Sequence, residues 1–275
     1  MPRGLLKSSS SWRKLQPTWE YAFHSDSDNA ELIATHYRWL LPTFSRLSGV
    51  QKADVSRVVY MHHFGGVYAD LDMELLKPLR PLLLQQWRLR NASVLLGQEP
   101  IAHAALLENR PRQVCNAILV SAKGHPFWLT VLRRIMRTPR GITDPVASTG
   151  PRMLEMAVED WHASHGDQSA RASRRRRRDG GHGGVVVLPP DTFFPTWDPM
   201  QAGTFRARCT RGSLSLARGG EQLSRLRSRA CERLRRESFL PAITPDAFTN
   251  HRWVHTWIPG AQKVDLRDLV ESKAG

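Results

Sequence analysis

At 275 residues, with 41% hydrophobic composition and nine Trp, the chain is long enough to bury one substantial globular core. Its 40 basic and 25 acidic residues leave a formal charge of +15. Three scattered cysteines are too few for a zinc site or a disulfide framework, and no run approaches the roughly 18 apolar residues of a membrane span.

Residues 1–18 form a basic, Ser-rich segment with Arg3, Lys7, Arg13 and Lys14 and no acid, a composition with some similarity to a transit peptide. Asp28 or Asn29 caps a predicted helix that runs to Leu41 and is broken by Pro42. A second helix is expected from Lys52 to Phe64, with Val55, Val58, Val59 and Phe64 spaced for packing. Gly65-Gly66 ends it, and Val67 to Asp70 reads as a short strand. Ala92 to Gly97 and Ala117 to Val120 are further strands. Pro126 to Met136 and Pro151 to His162 read as helices with apolar faces. Residues 167–184, with Arg171, the run Arg174 to Arg178 and a Gly-rich end, cannot bury apolar surface. They read as a disordered insertion before a strand at Val185 to Leu188. A second basic insertion, residues 202–238, holds an amphipathic helix around Leu223, Leu226, Ala230 and Leu234. Either insertion suits nucleic acid or anionic lipid on charge alone; a solvated insertion is the plainer account. Cys209 and Cys231 are open between pairing in an oxidising lumen and remaining buried thiols. No internal repeat is present.

The chemistry concentrates at Asp70 and Asp72, one residue apart at the end of a predicted strand. Two such carboxylates can surround a hard divalent cation. Mg²⁺ and Mn²⁺ favour oxygen ligands, often a few carboxylates with substrate phosphate, which is the chemistry of an enzyme handling a nucleotide diphosphate. The bare Asp-x-Asp tripeptide is equally a solvated turn. Upstream, Asp54 and Arg57 are three apart and share a helix face. Spacing alone fits an exposed ion pair as well as a functional one.

In order, Asp54-x-x-Arg57, a helix end, Gly-Gly-x-Tyr68-x-Asp70-x-Asp72 and Leu-Lys-Pro-Leu resemble the sugar-binding region of glycosyltransferase family 32. That family includes initiating α-1,6-mannosyltransferases and inositol phosphorylceramide mannosyltransferases, with related regions in α-1,4-galactosyltransferases. The resemblance continues through Asn116 with Gly124-His125-Pro126, through Thr149-Gly150-Pro151, and through Val187-Leu188-Pro189 with Phe193-Phe194-Pro195. It closes on His251-x-Trp253 with Thr256-Trp257. It spans about two hundred of residues 19–275.

The resemblance implies an α/β, GT-A-like Rossmann-type mixed sheet flanked by helices, with ligands at the carboxyl ends of strands. Family members usually begin with a strand carrying Ile-Pro-x-x-Ile-His-Gln-x-Trp, preceded by a membrane anchor. This chain starts near Trp19, so a sheet lacking that first strand is expected. The implied activity is metal-dependent, retaining transfer of a hexose from GDP-mannose or a UDP-hexose to a glycan or sphingolipid acceptor. It would take place on the lumenal side of the Golgi or another secretory-pathway membrane, with no specific nucleic acid. The implied cofactor is Mn²⁺ or Mg²⁺. Asp72 is expected to bind the metal directly, and Asp70 to bind ribose or sugar hydroxyls and assist the metal. Asp54 and Arg57 would hold the donor sugar, with Tyr68 either in that site or in the core. His251 would complete the metal shell or touch the diphosphate. His255 stands where Gly is more usual, and no catalytic nucleophile is named. Two other readings stand beside this one. One is an inactive relative whose basic insertions bind polyanions. The other is an Asp-x-Asp phosphotransfer hydrolase, which would want Thr or Val where Glu74 stands.

Overall fold

The computed structural model describes residues 3–139, 141–165, 183–210 and 220–254. Outside them lie the Arg174–Arg178 run with most of the 167–184 insertion, residues 211–219 of the second basic block, and His255, Thr256 and Trp257.

The basic N-terminal segment folds into helix α1 (Arg3–Leu15). Leu5, Ser8 and Trp12 fall on one face and are buried. Trp12 Nε1 donates to the Met73 carbonyl at 2.7 Å, and the Leu75 amide donates to Ser11 Oγ at 2.8 Å. Lys7, Arg13 and Lys14, which give it the charge of a leader, lie on the exposed side.

Helix α2 (Asp26–His36) is capped by Ser25, one turn before the position expected from Asp28. The Ser25 amide donates to Asp28 Oδ2 at 2.7 Å and Ser25 Oγ accepts from the Asp28 amide, so Asp28 is the third helical residue of a capping box. The helix stops at Tyr37 rather than running to Leu41. Pro42 instead sits in the first turn of a short helix α3 (Leu41–Phe44), where its missing N–H leaves nothing unpaired.

Helix α4 (Gly49–His63) buries Val55, Val58 and Val59 as their spacing requires, whereas Phe64 just beyond its end is exposed. Gly65 (φ +70°) and Gly66 (φ +85°) turn the chain out of α4. A Cβ at Gly65 would meet the Lys123 amide nitrogen at 2.6 Å, so glycine is required there. Strands β1 (Gly66–Ala69) and β2 (Met73–Leu75), helix α5 (Arg80–Arg90) and strands β3 (Ala92–Gln98) and β4 (Val114–Ser121) follow. Then come α6 (Phe127–Arg137), α7 (Pro145–Ser148), α8 (Pro151–His165), β5 (Gly184–Leu188), α9 (Pro190–Phe193), α10 (Ala202–Arg208), α11 (Gly220–Arg236) and β6 (Thr249–His251).

The main sheet is mixed, in the order β1-β4-β3-β5, with β3 and β5 parallel and the other pairs antiparallel. Alternation along the strands sends Val94 and Leu96 to one face, against α4, α6 and α8, and Leu95 to the other. The second face is covered by Trp12, Met73, Leu79, Leu82, Phe193 and Phe194. There β2 and β6 pair antiparallel, Met73 opposite His251. A smaller cluster joins Trp197 and Phe205 to α11 through Ala230 and Leu234; Leu223 of that helix is buried, and Leu226 is only half-buried. Cys209 and Cys231 are disulfide-bonded with Cα atoms 5.4 Å apart, which closes the alternative that the sequence left open. Cys115 is a buried thiol. Among the described residues, no helix is long and apolar enough to cross a membrane.

Candidate metal and donor site

The site begins where β1 leaves the sheet. The Asp70 amide donates to the Ala117 carbonyl at 2.8 Å, the last rung against β4, and the Met73 amide returns to the Asp70 carbonyl at 2.9 Å. This tight turn aims both carboxylates at the β2–β6 ribbon. The Arg252 amide donates to the Asp72 carbonyl at 3.0 Å and the Val254 amide to Asp72 Oδ2 at 2.9 Å. His251 Nε2 lies 3.1 Å from the same oxygen. Asp70, Asp72 and His251 thus offer ligand atoms all within 4.8 Å of one another, the one such cluster among the described residues.

Two carboxylates and one imidazole form an oxygen-rich set that suits Mn²⁺ or Mg²⁺ better than a soft metal. His251 Nδ1 is buried without a hydrogen-bond partner, so the ring's polar contact is on its Asp72 side. The donor chemistry therefore fits a divalent cation. The set is not a solvated turn, since the Asp72 side chain is only 13% exposed.

Behind Asp70 stands Arg57, which is 7% exposed beside Asp54 at 5%. The pair is buried, which rules out the wet-helix reading that spacing allowed. Arg57 Nη1 donates to the Asn116 carbonyl at 2.9 Å and lies 3.3 Å from Asp70 Oδ1. Its Nη2 is 3.4 Å from Asp54 Oδ1, and the guanidinium carbon sits 5.1 Å from the centre of the Tyr68 ring. Tyr68 is both packing and site: its ring joins the α4 side of the core and its hydroxyl donates to Asp70 Oδ1. Asp54 accepts from Asn116 Nδ2 and from Thr149 Oγ1, each at 2.8 Å.

Burial raises the pKa of Asp70, against the pull of Arg57 and with help from the neighbouring Asp72 charge. Burial also raises that of Asp54, partly offset by Arg57 and Thr149. Asp72 goes the other way. Its burial is outweighed by the hydrogen bond and charge of His251 and by the Val254 amide, so its carboxyl is held below the usual range. Burial opposes the charge on Arg57, but Asp70, Tyr68 and Asp54 together raise its pKa further and keep it cationic.

All six sequence-predicted site residues therefore meet. Asn116 and Thr149 entered only as motif matches, yet they are the hydrogen-bond donors that fix Asp54. Trp253 (φ +54°) packs its ring 4.1 Å from His251 and 4.6 Å from His103. Only its place in the His-x-Trp motif pointed to it. His125 of Gly-His-Pro is fully buried, with Nε2 2.9 Å from the Gly183 carbonyl, and is remote from the carboxylates in its contacts. Glu74 is held by Arg252 and Lys7.

Residues 2–91 match the family described as glycosyltransferase sugar-binding region containing DXD motif. The chain is 30% identical over 166 residues to inositol phosphoceramide mannosyltransferase 3 of Schizosaccharomyces pombe, covering 58% of this chain and 42% of that protein. It is 30% identical over 147 residues to a mannosyl phosphorylinositol ceramide synthase of Saccharomyces cerevisiae, covering 52% and 34%. It is 26% identical over 144 residues to the initiation-specific α-1,6-mannosyltransferase of Schizosaccharomyces pombe, covering 48% and 36%. The chain thus matches between about a third and two-fifths of the length of these curated relatives.

Proposed function

We propose that this chain, which carries the DXD sugar-binding region of the glycosyltransferases in residues 2–91, is a metal-dependent transferase that moves a hexose from a nucleotide-diphosphate sugar to a glycan or sphingolipid. The observation that carries the reading is the meeting of Asp70, Asp72 and His251 beside a buried Arg57. The mannosyltransferase names of its relatives favour GDP-mannose over a UDP-hexose as donor. Retention of anomeric configuration follows from the resemblance, and no side chain is assigned as a nucleophile.

Mn²⁺ or Mg²⁺ would be held by Asp72, Asp70 and His251, and when bound it neutralises the leaving diphosphate. The chain's own residues set up that event. Arg57 and the Tyr68 hydroxyl fix the rotamer of Asp70 so that it faces the donor. Asp54, anchored by Asn116 and Thr149, acts through Arg57 as a positioning residue and contributes the charge that keeps the guanidinium in place. Trp253 packs on the His251 ring and restricts its tilt. An inactive relative that only binds polyanions would have no need of this set, and its intact state favours the enzyme. The Cys209–Cys231 bond fits an oxidising compartment such as the lumen of the secretory pathway.

The test is release of GDP from GDP-mannose, with and without Mn²⁺, by the parent and by Asp72→Asn. Metal-dependent release that the variant lacks supports the assignment. Release by the variant at the parent rate removes Asp72 from the metal site.

A further inference from the structure

Helix α5 carries a surface that the donor site does not use. Its sequence, RPLLLQQWRLR, has three Arg and no acid. One face is sealed: Leu82 and Gln86 are buried, and Leu79 and Leu82 belong to the cluster that also holds Met73 and Trp12. The outward face is not the polar one expected of a surface helix. Trp87 is 58% exposed and Leu84 40%, with Leu89 at 58% near the end of the helix. At about 100° per residue, Trp87, Arg80, Leu84 and Arg88 fall within roughly 60° of Leu84. The exposed stripe is therefore Trp and Leu set between guanidinium groups, and neither Arg80 nor Arg88 is paired with a carboxylate among the described residues.

We propose that this face of α5 docks on the surface of an anionic phospholipid bilayer. The indole of Trp87 and the leucyl side chain of Leu84 suit the boundary between headgroups and acyl chains, where Trp is favoured. Arg80 and Arg88 would meet lipid phosphates, and a chain of formal charge +15 is drawn to an anionic surface. A second protein would need complementary acids and apolar pockets, whereas a bilayer supplies both from a fluid surface. Eleven residues are too few to span a membrane, so the helix lies along the surface.

The position has a consequence for the site. Helix α5 begins at Arg80, eight residues after Asp72, and its buried face packs in the same cluster as β2, whose partner β6 carries His251. Docking would hold the metal and donor site at a set distance from the lipid surface, where a glycolipid headgroup waits. Lipid binding itself does not rest on the transferase reading, because it is measured without a donor.

The experiment is co-sedimentation of the full chain with phosphatidylcholine vesicles and with vesicles containing phosphatidylserine. Two variants are compared, Trp87→Ser/Leu84→Ser and Arg80→Gln/Arg88→Gln. All four positions are exposed, so circular dichroism should match the parent. The expected result is binding to the phosphatidylserine vesicles alone, at least tenfold weaker in each variant, with release of GDP from GDP-mannose in solution unchanged. Parent-like binding by both variants would place lipid affinity elsewhere on the chain. Absence of binding by the parent would overturn the proposal outright. So would a parent that sediments as a dimer while Trp87→Ser/Leu84→Ser is monomeric, since the face would then be covered by a second copy.

Discussion

Replacing Arg57 by Lys keeps the positive charge and removes the fork. In the native site one guanidinium reaches the Asn116 carbonyl at 2.9 Å, Asp70 at 3.3 Å and Asp54 at 3.4 Å, while its plane packs near Tyr68. A lysine ammonium presents a single point charge and cannot bridge these acceptors. If it keeps one, the other two contacts lengthen, at least one of them to a carboxylate, inside a region where Asp54 is 5% exposed. A net hydrogen bond to a charged group contributes about 1.5–3 kcal/mol, and full removal of one partner from a buried pair costs about 3–5 kcal/mol. Retained charge places Arg57→Lys toward the lower end, near 2–3 kcal/mol. For a domain of this size that corresponds to a melting shift of about 4–12 °C. An exposed control, Arg225→Lys opposite Glu221, should change stability by less than about 0.5 kcal/mol. Urea unfolding gives the first number, and kcat/KM for GDP release with saturating Mn²⁺ gives the second. Because Arg57 fixes Asp70, kcat/KM should fall at least about tenfold, or 1.4 kcal/mol, below the unfolding midpoint. A stability change under about 0.5 kcal/mol with parental kinetics would refute the buried-clamp reasoning. A stability loss with parental kinetics would confine Arg57 to the framework.

Mn²⁺ at about a hundred times its dissociation constant should stabilise the parent by about 2.7 kcal/mol in thermal unfolding. It should leave Asp72→Asn unshifted, and an equal shift in both would move the ion elsewhere. Asp70 has a raised pKa, so as pH falls it takes a proton before an ordinary Asp would, while Asp72 with its lowered pKa stays charged. Metal binding needs both deprotonated, so Mn²⁺ affinity followed by electron paramagnetic resonance should begin to fall above the usual Asp range and recover on raising the pH. Trp12→Ala removes a buried indole and its bond to Met73 and should cost about 3–5 kcal/mol by urea unfolding; a loss below about 1 kcal/mol would mean α1 is dispensable. Cys209→Ser opens a loop with a sequence separation of 22, and chain entropy sets the loss near 3 kcal/mol. The same melting temperature for parent and variant under non-reducing conditions would show the bond absent.

What the sequence determined by itself was local and periodic. Apolar spacing placed α4 and buried Val55, Val58 and Val59, a Gly pair ended it, and β-branched and aromatic residues placed β1 so that Asp70 and Asp72 fell at its end. Short-range signals also erred where two local choices compete. Ser25 and Asp28 are both good caps, and only the reciprocal bond between them decided for Ser25. Composition describes the outside of a helix, so α1 was read from its Lys and Arg rather than from the buried face carrying Leu5, Ser8 and Trp12. Tertiary structure alone decided the rest. The helical period puts Asp54 and Arg57 on one face but is silent on what covers it; β4 covers it, bringing Asn116, while Thr149 comes from the turn after α7. His251 meets Asp72 because two three-residue strands far apart in sequence pair antiparallel, and no local propensity encodes a partner at that distance. The same holds for Cys209 and Cys231, whose spacing allowed either fate until the fold brought the end of α10 into one apolar cluster with α11.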